Sequence, residues 1–220
     1  MAMAGEDGVV QVFRGEWDAE GVYFYQAYND AIADWALEHQ RLGGPDFKPV
    51  RMTWIKPSLA WVLYRSGYAR KHNQGRILKI KLPHDAIAAI LEACQCRHGG
   101  GGSKGRVQWD PARDLMSADG KVPRRLLRER AIQIGMKDNV SELYVRSAIS
   151  IEDVTTLAHE LQQAHAAQSW DAMVPLLKNL PEERGYIPHC QPDVLARLGM
   201  LHGETAQAVA RIGRGMAIDM

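Results

Sequence analysis

The order of apolar and polar positions predicts strands alternating with helices in the first 150 residues. Residues 22–28 combine β-branched and aromatic side chains, and residues 77–82 alternate apolar side chains with lysines. Both patterns are typical of strands. Further strands are predicted at residues 106–109, 131–135 and 141–146. Together these elements indicate an α+β fold with a mixed, mostly antiparallel sheet, flanking helices and a helical C-terminal part.

Helices are predicted where apolar residues recur at helical spacing. Asn29 or Asp30 begins the first of them, because both residue types are favoured at the N-cap. Residues 154–164 show the spacing of a longer helix. Beyond that helix the strand patterns give way to short helical ones. The chain is therefore predicted to have an α+β core domain over residues 1–168 and a helical appendage over 169–220.

Residues 51–67 carry more aromatic and cationic side chains than is usual for either a solvated loop or a plain core. In an extended segment, Met52, Trp54 and Lys56 share one side and Thr53 faces the other. Indoles beside cations favour a polar, anionic ligand held next to aromatic rings. The stretch is therefore the first candidate for a binding site.

A helix over residues 58–66 is predicted directly after this segment, because Pro57 suits a helix start. Trp61, Tyr64 and Arg65 then lie on one face by the i, i+3, i+4 rule. This places Arg65 among aromatic rings. The same pattern also fits a core helix with packed tryptophans, in which Arg65 pairs with a carboxylate.

Composition limits the classes of function. The net charge of +1 argues against wholesale electrostatic binding of nucleic acid, although a local basic patch remains open. Three cysteines do not make a disulfide framework, so a reducing compartment, the cytoplasm, is expected. No run of 18 apolar residues is present, and no membrane span is predicted.

Two local clusters are further candidate sites. Cys94, Cys96 and His98 lack a standard zinc spacing, so no metal is predicted. Residues 121–130 form the most basic run of the chain. A solvated helix face explains such a run, and contact with phosphate is the alternative.

Five segments resemble an uncharacterised bacterial and fungal family, domain of unknown function 4291. They are VYFYQAYN (22–29), RMTWIKPS (51–58), YRSG (64–67), VQWDP (107–111) and IQIG (132–135). The resemblance covers about residues 10 to 180. It brings no activity with it.

The layout also resembles an ADP-ribosyltransferase at the level of pattern. In that superfamily a late strand begins with a glutamate, and Glu142 is the matching carboxylate here. Gln26 stands where the superfamily usually has Arg or His, which departs from the pattern. The hydroxyl of a second superfamily motif corresponds to Thr53 or Ser58. The resemblance implies NAD as co-substrate and a protein or nucleic acid as acceptor.

The resemblance gives each residue an expected role. Glu142, with Gln26, is expected to be catalytic, since a carboxylate stabilises the positive charge that develops on the ribose. Arg51 and Arg65 are expected to hold the pyrophosphate. The full set of expected cofactor-binding residues is Tyr25, Arg51, Thr53, Trp54, Lys56, Ser58, Tyr64 and Arg65. Glu142, Arg51 and Arg65 are predicted to line one cleft.

Three functions remain open from the sequence. The first is an ADP-ribosyltransferase-like enzyme that binds NAD. The second is a protein that binds or processes nucleic acid without NAD, by stacking on aromatic rings and contacting phosphates. The third is an interaction protein whose helical C-terminal part docks a partner. Replacing Glu142 with alanine separates an enzyme from a binding module, because only an enzyme is expected to lose turnover while keeping its fold.

Overall fold

The computed structural model of the chain describes residues 10–96, 102–115, 124–180 and 182–200. The strands are β1 Val10–Gln11, β2 Arg14–Gly15, β3 Gly21–Tyr28, β4 Thr53–Ile55, β5 Arg76–Pro83, β6 Cys94–Cys96, β7 Gly105–Asp114, β8 Arg124–Met136, β9 Ser150–Asp153 and β10 Arg184–Gly185. The helices are α1 Asp30–His39, α2 Leu59–Ser66, α3 His84–Glu92, α4 Asp138–Ser147, α5 Thr155–Ala166, α6 Trp170–Lys178 and α7 Pro192–Arg197. The protein is of the α+β class, as predicted.

The described strands form two main sheets and one short ribbon. In the larger sheet the order is β1-β8-β7-β6, with β4 also paired to β8. The smaller sheet has the order β3-β5-β9, and β2 pairs with β10 in the ribbon. Among these pairs, β1 with β8 and β6 with β7 are parallel, and the rest are antiparallel. The sheets are therefore mixed and mostly antiparallel, which confirms the prediction.

Two hydrophobic clusters hold these layers together. The first contains Phe24 of β3 and Ile134 of β8, so it joins the two sheets. The second lies around α2 and α5 and contains Leu63, Ile77 and Leu161. All five side chains are almost completely buried. Burying a side chain of this size contributes about 1.5–3 kcal/mol each.

The predicted start of α1 and the predicted extent of α2 are confirmed. Asn29 is the N-cap of α1, where its side chain accepts a hydrogen bond from the backbone N–H of Ile32 at 3.0 Å. Ser58 is the N-cap of α2. Gly67 ends α2 with a φ of 60°, a left-handed conformation that glycine adopts readily. The strands predicted at residues 22–28 and 77–82 lie within β3 and β5.

The strand predicted at residues 141–146 is wrong, because these residues belong to α4. Val140 and Tyr144 are both buried, and Leu143 packs against the same cluster. Apolar side chains at i, i+3 and i+4 form one face of a helix. That spacing outweighs the strand propensity of Tyr144 and Val145.

The structure also corrects the interpretation of the basic run at residues 121–130. The interpretation of residues 121–130 as a helix face is wrong for residues 124–130, which belong to β8. Residues 121–123 lie outside the described ranges, as do His98 of the Cys/His cluster and residues 201–220.

The described C-terminal segment contacts the rest of the chain. β10 pairs with β2, and the Tyr186 ring packs edge-on against Phe13 with 5.1 Å between ring centroids. Met173 of α6 lies in the cluster around α2 and α5. The domain boundary at residue 168 stays a prediction. None of the helices in the described ranges has the length and apolar content that crossing a lipid bilayer requires.

Candidate functional site

The site lies where the two main sheets meet. Tyr25 of β3 and Lys56, just after β4, exchange backbone hydrogen bonds of 2.7 and 3.2 Å. Successive side chains of an extended strand point to opposite faces. The bridge therefore brings Gln26 of β3 beside the segment that carries Trp54 and Lys56.

Helix α2 supplies the second wall. The Ser58 hydroxyl accepts a hydrogen bond from the backbone N–H of Trp61 at 3.5 Å, which fixes the start of the helix. Trp61 and Arg65 follow at i and i+4 spacing and both face the same space. Trp61 is buried, and Arg65 is exposed at the rim.

Neighbouring strands β7 and β8 supply the third wall. Gln108 and Gln133 are directly opposite each other in the ladder. The side-chain amide of Gln108 donates to Oδ1 of Asp110 at 2.9 Å, and the amide of Gln133 donates to Oδ2. Each carboxylate oxygen thus accepts one amide hydrogen bond, and these bonds orient Asp110 toward the shared space.

These walls enclose a cavity of about 710 Å³, called the main cavity below. Its polar and aromatic lining consists of three cationic side chains, two indoles, one carboxylate, one hydroxyl and four amides: Arg51, Lys56, Arg65, Trp54, Trp61, Asp110, Ser66, Gln26, Gln74, Gln108 and Gln133. A second cavity of about 360 Å³, the side cavity, shares Gln26, Arg51 and Met52 with it. The two spaces are thus adjacent, with Gln26 and Arg51 on the wall of both.

Lys56 has the most unusual electrostatic environment in the main cavity. Its side chain is buried, and its Nζ donates a hydrogen bond of 3.1 Å to the backbone carbonyl of Trp54. Burial, together with the nearby positive charge of Arg65, lowers the pKa of Lys56 to about 8, and Asp110 opposes the change. A substantial fraction of this amine is therefore neutral near physiological pH.

Five of the predicted site residues line the main cavity. They are Gln26, Arg51, Trp54, Lys56 and Arg65. The structure brings them together through the β3–β4 bridge and the turn into α2. This convergence does not by itself assign a role to any of them.

Four other predicted residues lie nearby but do not line the main cavity. Tyr25 is buried on the opposite side of β3, with its hydroxyl donating to Glu16 at 3.3 Å. Thr53 accepts a hydrogen bond of 2.7 Å from the Gln26 amide and lines the side cavity. Ser58 is committed to capping α2. Tyr64 is 44% exposed, and it stacks under the guanidinium of Arg113 at 3.5 Å from the ring centroid.

Glu142 is not brought together with Arg51 and Arg65. It lies on the exposed face of α4 and lines neither cavity. The physical reason is the change of element: on a strand Glu142 would alternate toward a sheet face, but on α4 it points away from the buried Val140 and Tyr144. The carboxylate that the structure places in the main cavity is Asp110.

Sequence reasoning missed the contribution of β7 and β8. Gln108 and Asp110 are two residues apart and so share one face of β7. Gln133 is a polar residue between Ile132 and Ile134 in an otherwise apolar strand segment. A buried amide needs a partner, so that polar interruption was the available signal.

The fold and the site therefore define an α+β protein with a cationic and aromatic cavity at the junction of two sheets. A family model described as domain of unknown function (DUF4291) matches residues 12–186, which is more than half of the chain. The chain belongs to this family. None of the curated proteins compared with the chain matches it.

Proposed function

We propose that the main cavity binds a nucleotide and that the protein is a nucleotide-dependent enzyme. The observation that carries the proposal is the convergence of Arg51, Lys56 and Arg65 with the indoles of Trp54 and Trp61 on one cavity. Guanidinium groups bind phosphate through paired hydrogen bonds, and indoles stack on nucleobases. The cavity volume also lies within the range of about 300–1,000 Å³ that is usual for small-molecule sites.

The amides of the cavity supply a second kind of recognition. Gln26, Gln74, Gln108 and Gln133 line the same space as the cations. An amide offers a donor and an acceptor together, which suits the hydrogen-bonding edge of a base or the hydroxyls of a ribose. A ligand that combines phosphate, sugar and an aromatic base therefore fits the wall better than inorganic phosphate does.

NAD is the proposed co-substrate, and transfer of ADP-ribose to a protein or nucleic acid is the proposed reaction. Support for this narrower proposal comes from the superfamily resemblance and from the presence of one carboxylate in the cavity. In such a reaction the bond between nicotinamide and ribose breaks, its electron pair leaves with nicotinamide, and positive charge develops on the sugar. The acceptor then forms a new bond to the same anomeric carbon and gives up its proton to solvent. Asp110 lines the main cavity and Glu142 does not, so Asp110 is the carboxylate proposed to stabilise that charge.

The first test is ligand-dependent thermal stability. NAD and ADP-ribose are expected to raise the melting temperature, because a ligand that binds only the folded state stabilises it by mass action. Arg65→Ala is expected to weaken the affinity by about 10- to 100-fold, since a hydrogen bond to a charged group contributes about 1.5–3 kcal/mol. The measurement is the shift in melting temperature as a function of ligand concentration.

Arg41→Ala is the matched control for this test. Arg41 is an exposed arginine that lines neither cavity and lies over the Trp35 ring. The Arg41→Ala substitution should leave the ligand-induced shift in melting temperature unchanged. Equal shifts in wild type and Arg65→Ala would contradict the assignment of the cavity. A shift with single-stranded RNA but none with NAD or ADP-ribose would favour the function in nucleic-acid binding instead.

The second test asks which carboxylate serves the reaction. Asp110→Asn is expected to lower the rate of nicotinamide release from NAD by about 100-fold or more, because it removes the negative charge beside the reacting sugar. Glu142→Gln should release nicotinamide at the wild-type rate, because Glu142 lies outside the cavity. If nicotinamide release is slowed in Glu142→Gln but not in Asp110→Asn, Glu142 is the catalytic carboxylate and Asp110 is not.

A further inference from the structure

The environment of Lys56 differs from that of Lys79 and Lys81 on β5. Lys79 is paired with Glu16 at 2.8 Å, and Lys81 is paired with Asp18 at 2.9 Å. No carboxylate of the described residues forms an ion pair with Lys56. A buried lysine without a directly paired carboxylate loses its proton more easily than an ion-paired lysine does.

The position of the Lys56 amine is fixed by its surroundings. Its Nζ donates to the Trp54 carbonyl at 3.1 Å and lies 5.7 Å from the centroid of the Trp61 ring. Arg65 from α2 and Asp110 from β7 are the charged groups that act on it. Lys56 lines the main cavity, and a neutral amine carries a lone pair that can react with an electrophile bound there.

We infer that Lys56 is a nucleophilic amine that forms an imine with the aldehyde of a phosphorylated sugar held in the main cavity. This inference rests on the proposed function, and it names ADP-ribose as the ligand to test first. The terminal ribose of ADP-ribose exposes an aldehyde at its anomeric carbon when the ring opens. Arg51 and Arg65 line the same cavity, so they can hold the phosphates while the sugar reaches Lys56.

The step needs the amine, the aldehyde and one proton from solvent. The nitrogen lone pair of Lys56 attacks the carbonyl carbon, a C–N bond forms as the C=O π bond breaks, and a proton passes from the nitrogen to the oxygen to give a neutral carbinolamine. A solvent proton then joins the hydroxyl, the C–O bond breaks, and water leaves to give a protonated imine. Asp110 is the carboxylate on the cavity wall that can offset the positive charge of the imine.

The amine is suited to this step at neutral pH. With a pKa of about 8, about one Lys56 in ten is neutral at pH 7, against about one in three thousand for an ordinary lysine. The rate of imine formation should therefore rise up to about pH 8 and then level off. A surface lysine would continue to gain reactivity toward pH 10.

The experiment is reductive trapping on the full chain. The protein is incubated with ADP-ribose and sodium cyanoborohydride, which reduces an imine to a stable secondary amine, and the modified lysine is located by peptide mass spectrometry. Modification is expected at Lys56, with at least tenfold preference over Lys79 and Lys81. Lys56→Arg keeps a cation but cannot form an imine, so it should abolish this adduct. An excess of AMP, which has no aldehyde, should suppress it by occupying the cavity.

The outcomes separate the two proposals. Binding of ADP-ribose in the thermal-shift assay without a Lys56 adduct would overturn the imine and leave nucleotide binding intact. An adduct spread evenly over many lysines, or one that AMP does not suppress, would also overturn it. No binding and no adduct would overturn both proposals. A selective Lys56 adduct whose yield is lower in Arg65→Ala than in the wild type supports both proposals.

Discussion

Replacing Lys56 with methionine is expected to raise the free energy of unfolding at neutral pH by about 1–3 kcal/mol. Lys56 is buried with one hydrogen bond to a carbonyl and a cationic neighbour, and burial of its charge is costly. Methionine has a similar length and no charge, so it fills the same space without that cost. The gain comes at a functional cost, because the same change should weaken ADP-ribose binding.

The stabilisation by Lys56→Met should be largest below about pH 8 and should decrease at higher pH. The folded-state pKa of about 8 lies below the ordinary value of 10.5, so both states carry the proton below about pH 8 and the full penalty applies there. Between about pH 8 and 10.5 the folded state loses its proton first, and the wild type gains stability relative to the variant. Urea unfolding of both proteins at about pH 7 and pH 10 measures the difference.

Lys81→Met is the matched control, because Lys81 is also buried but bridges Asp18 and Glu20 at 2.9 and 2.5 Å. Removing Lys81 leaves two carboxylates without their partner, so this variant should be less stable than the wild type. The two substitutions are thus expected to act in opposite directions. Destabilisation by Lys56→Met at pH 7 would show that the amine has a stabilising partner and would contradict this account of the cavity.

Gly135→Ala is expected to cost about 1–3 kcal/mol of stability and to weaken ligand binding. Gly135 of β8 lies directly opposite Trp54 of β4, and a Cβ at Gly135 would lie 2.8 Å from three carbons of the indole. The ring would have to leave its place on the cavity wall, because that distance is well inside van der Waals contact. Urea unfolding and the ligand-induced thermal shift measure the two effects.

Gly75→Ala provides the comparison, since a Cβ there meets no atom within 4 Å. Its stability should be unchanged or slightly raised. The double variant Gly135→Ala/Trp54→Leu tests the cause: if the clash is with the indole, the two substitutions should be strongly coupled. Additive effects would mean that Gly135 is needed for a different reason, and the packing of Trp54 would have to be reconsidered.

The central segment could be predicted because local rules determine its structure. Ser58 caps α2, Gly67 ends it, and alternation in the preceding strand puts Trp54 and Lys56 on the cavity side. These relations act within a few residues of one another. They therefore placed Arg51, Trp54, Lys56 and Arg65 in one neighbourhood without knowledge of the sheet order.

The remaining wall could not be predicted because it depends on strand pairing. Asp110 and Gln133 are distant from residues 51–67 in sequence, and they reach the cavity only because β8 pairs with both β4 and β7. The prediction for Glu142 was wrong for a different reason. The aromatic and β-branched side chains of Tyr144 and Val145 favoured a strand, whereas the segment forms α4 with buried residues at helical spacing. The carboxylate was therefore expected on the wrong element.

A crystal structure of the protein with ADP-ribose would show whether the main cavity binds a nucleotide. We expect a phosphate oxygen about 2.7–3.2 Å from a guanidinium nitrogen of Arg51 or Arg65, with the ligand packed against Trp54 or Trp61. Clear density for ADP-ribose on another surface, with the main cavity filled by solvent alone, would contradict it.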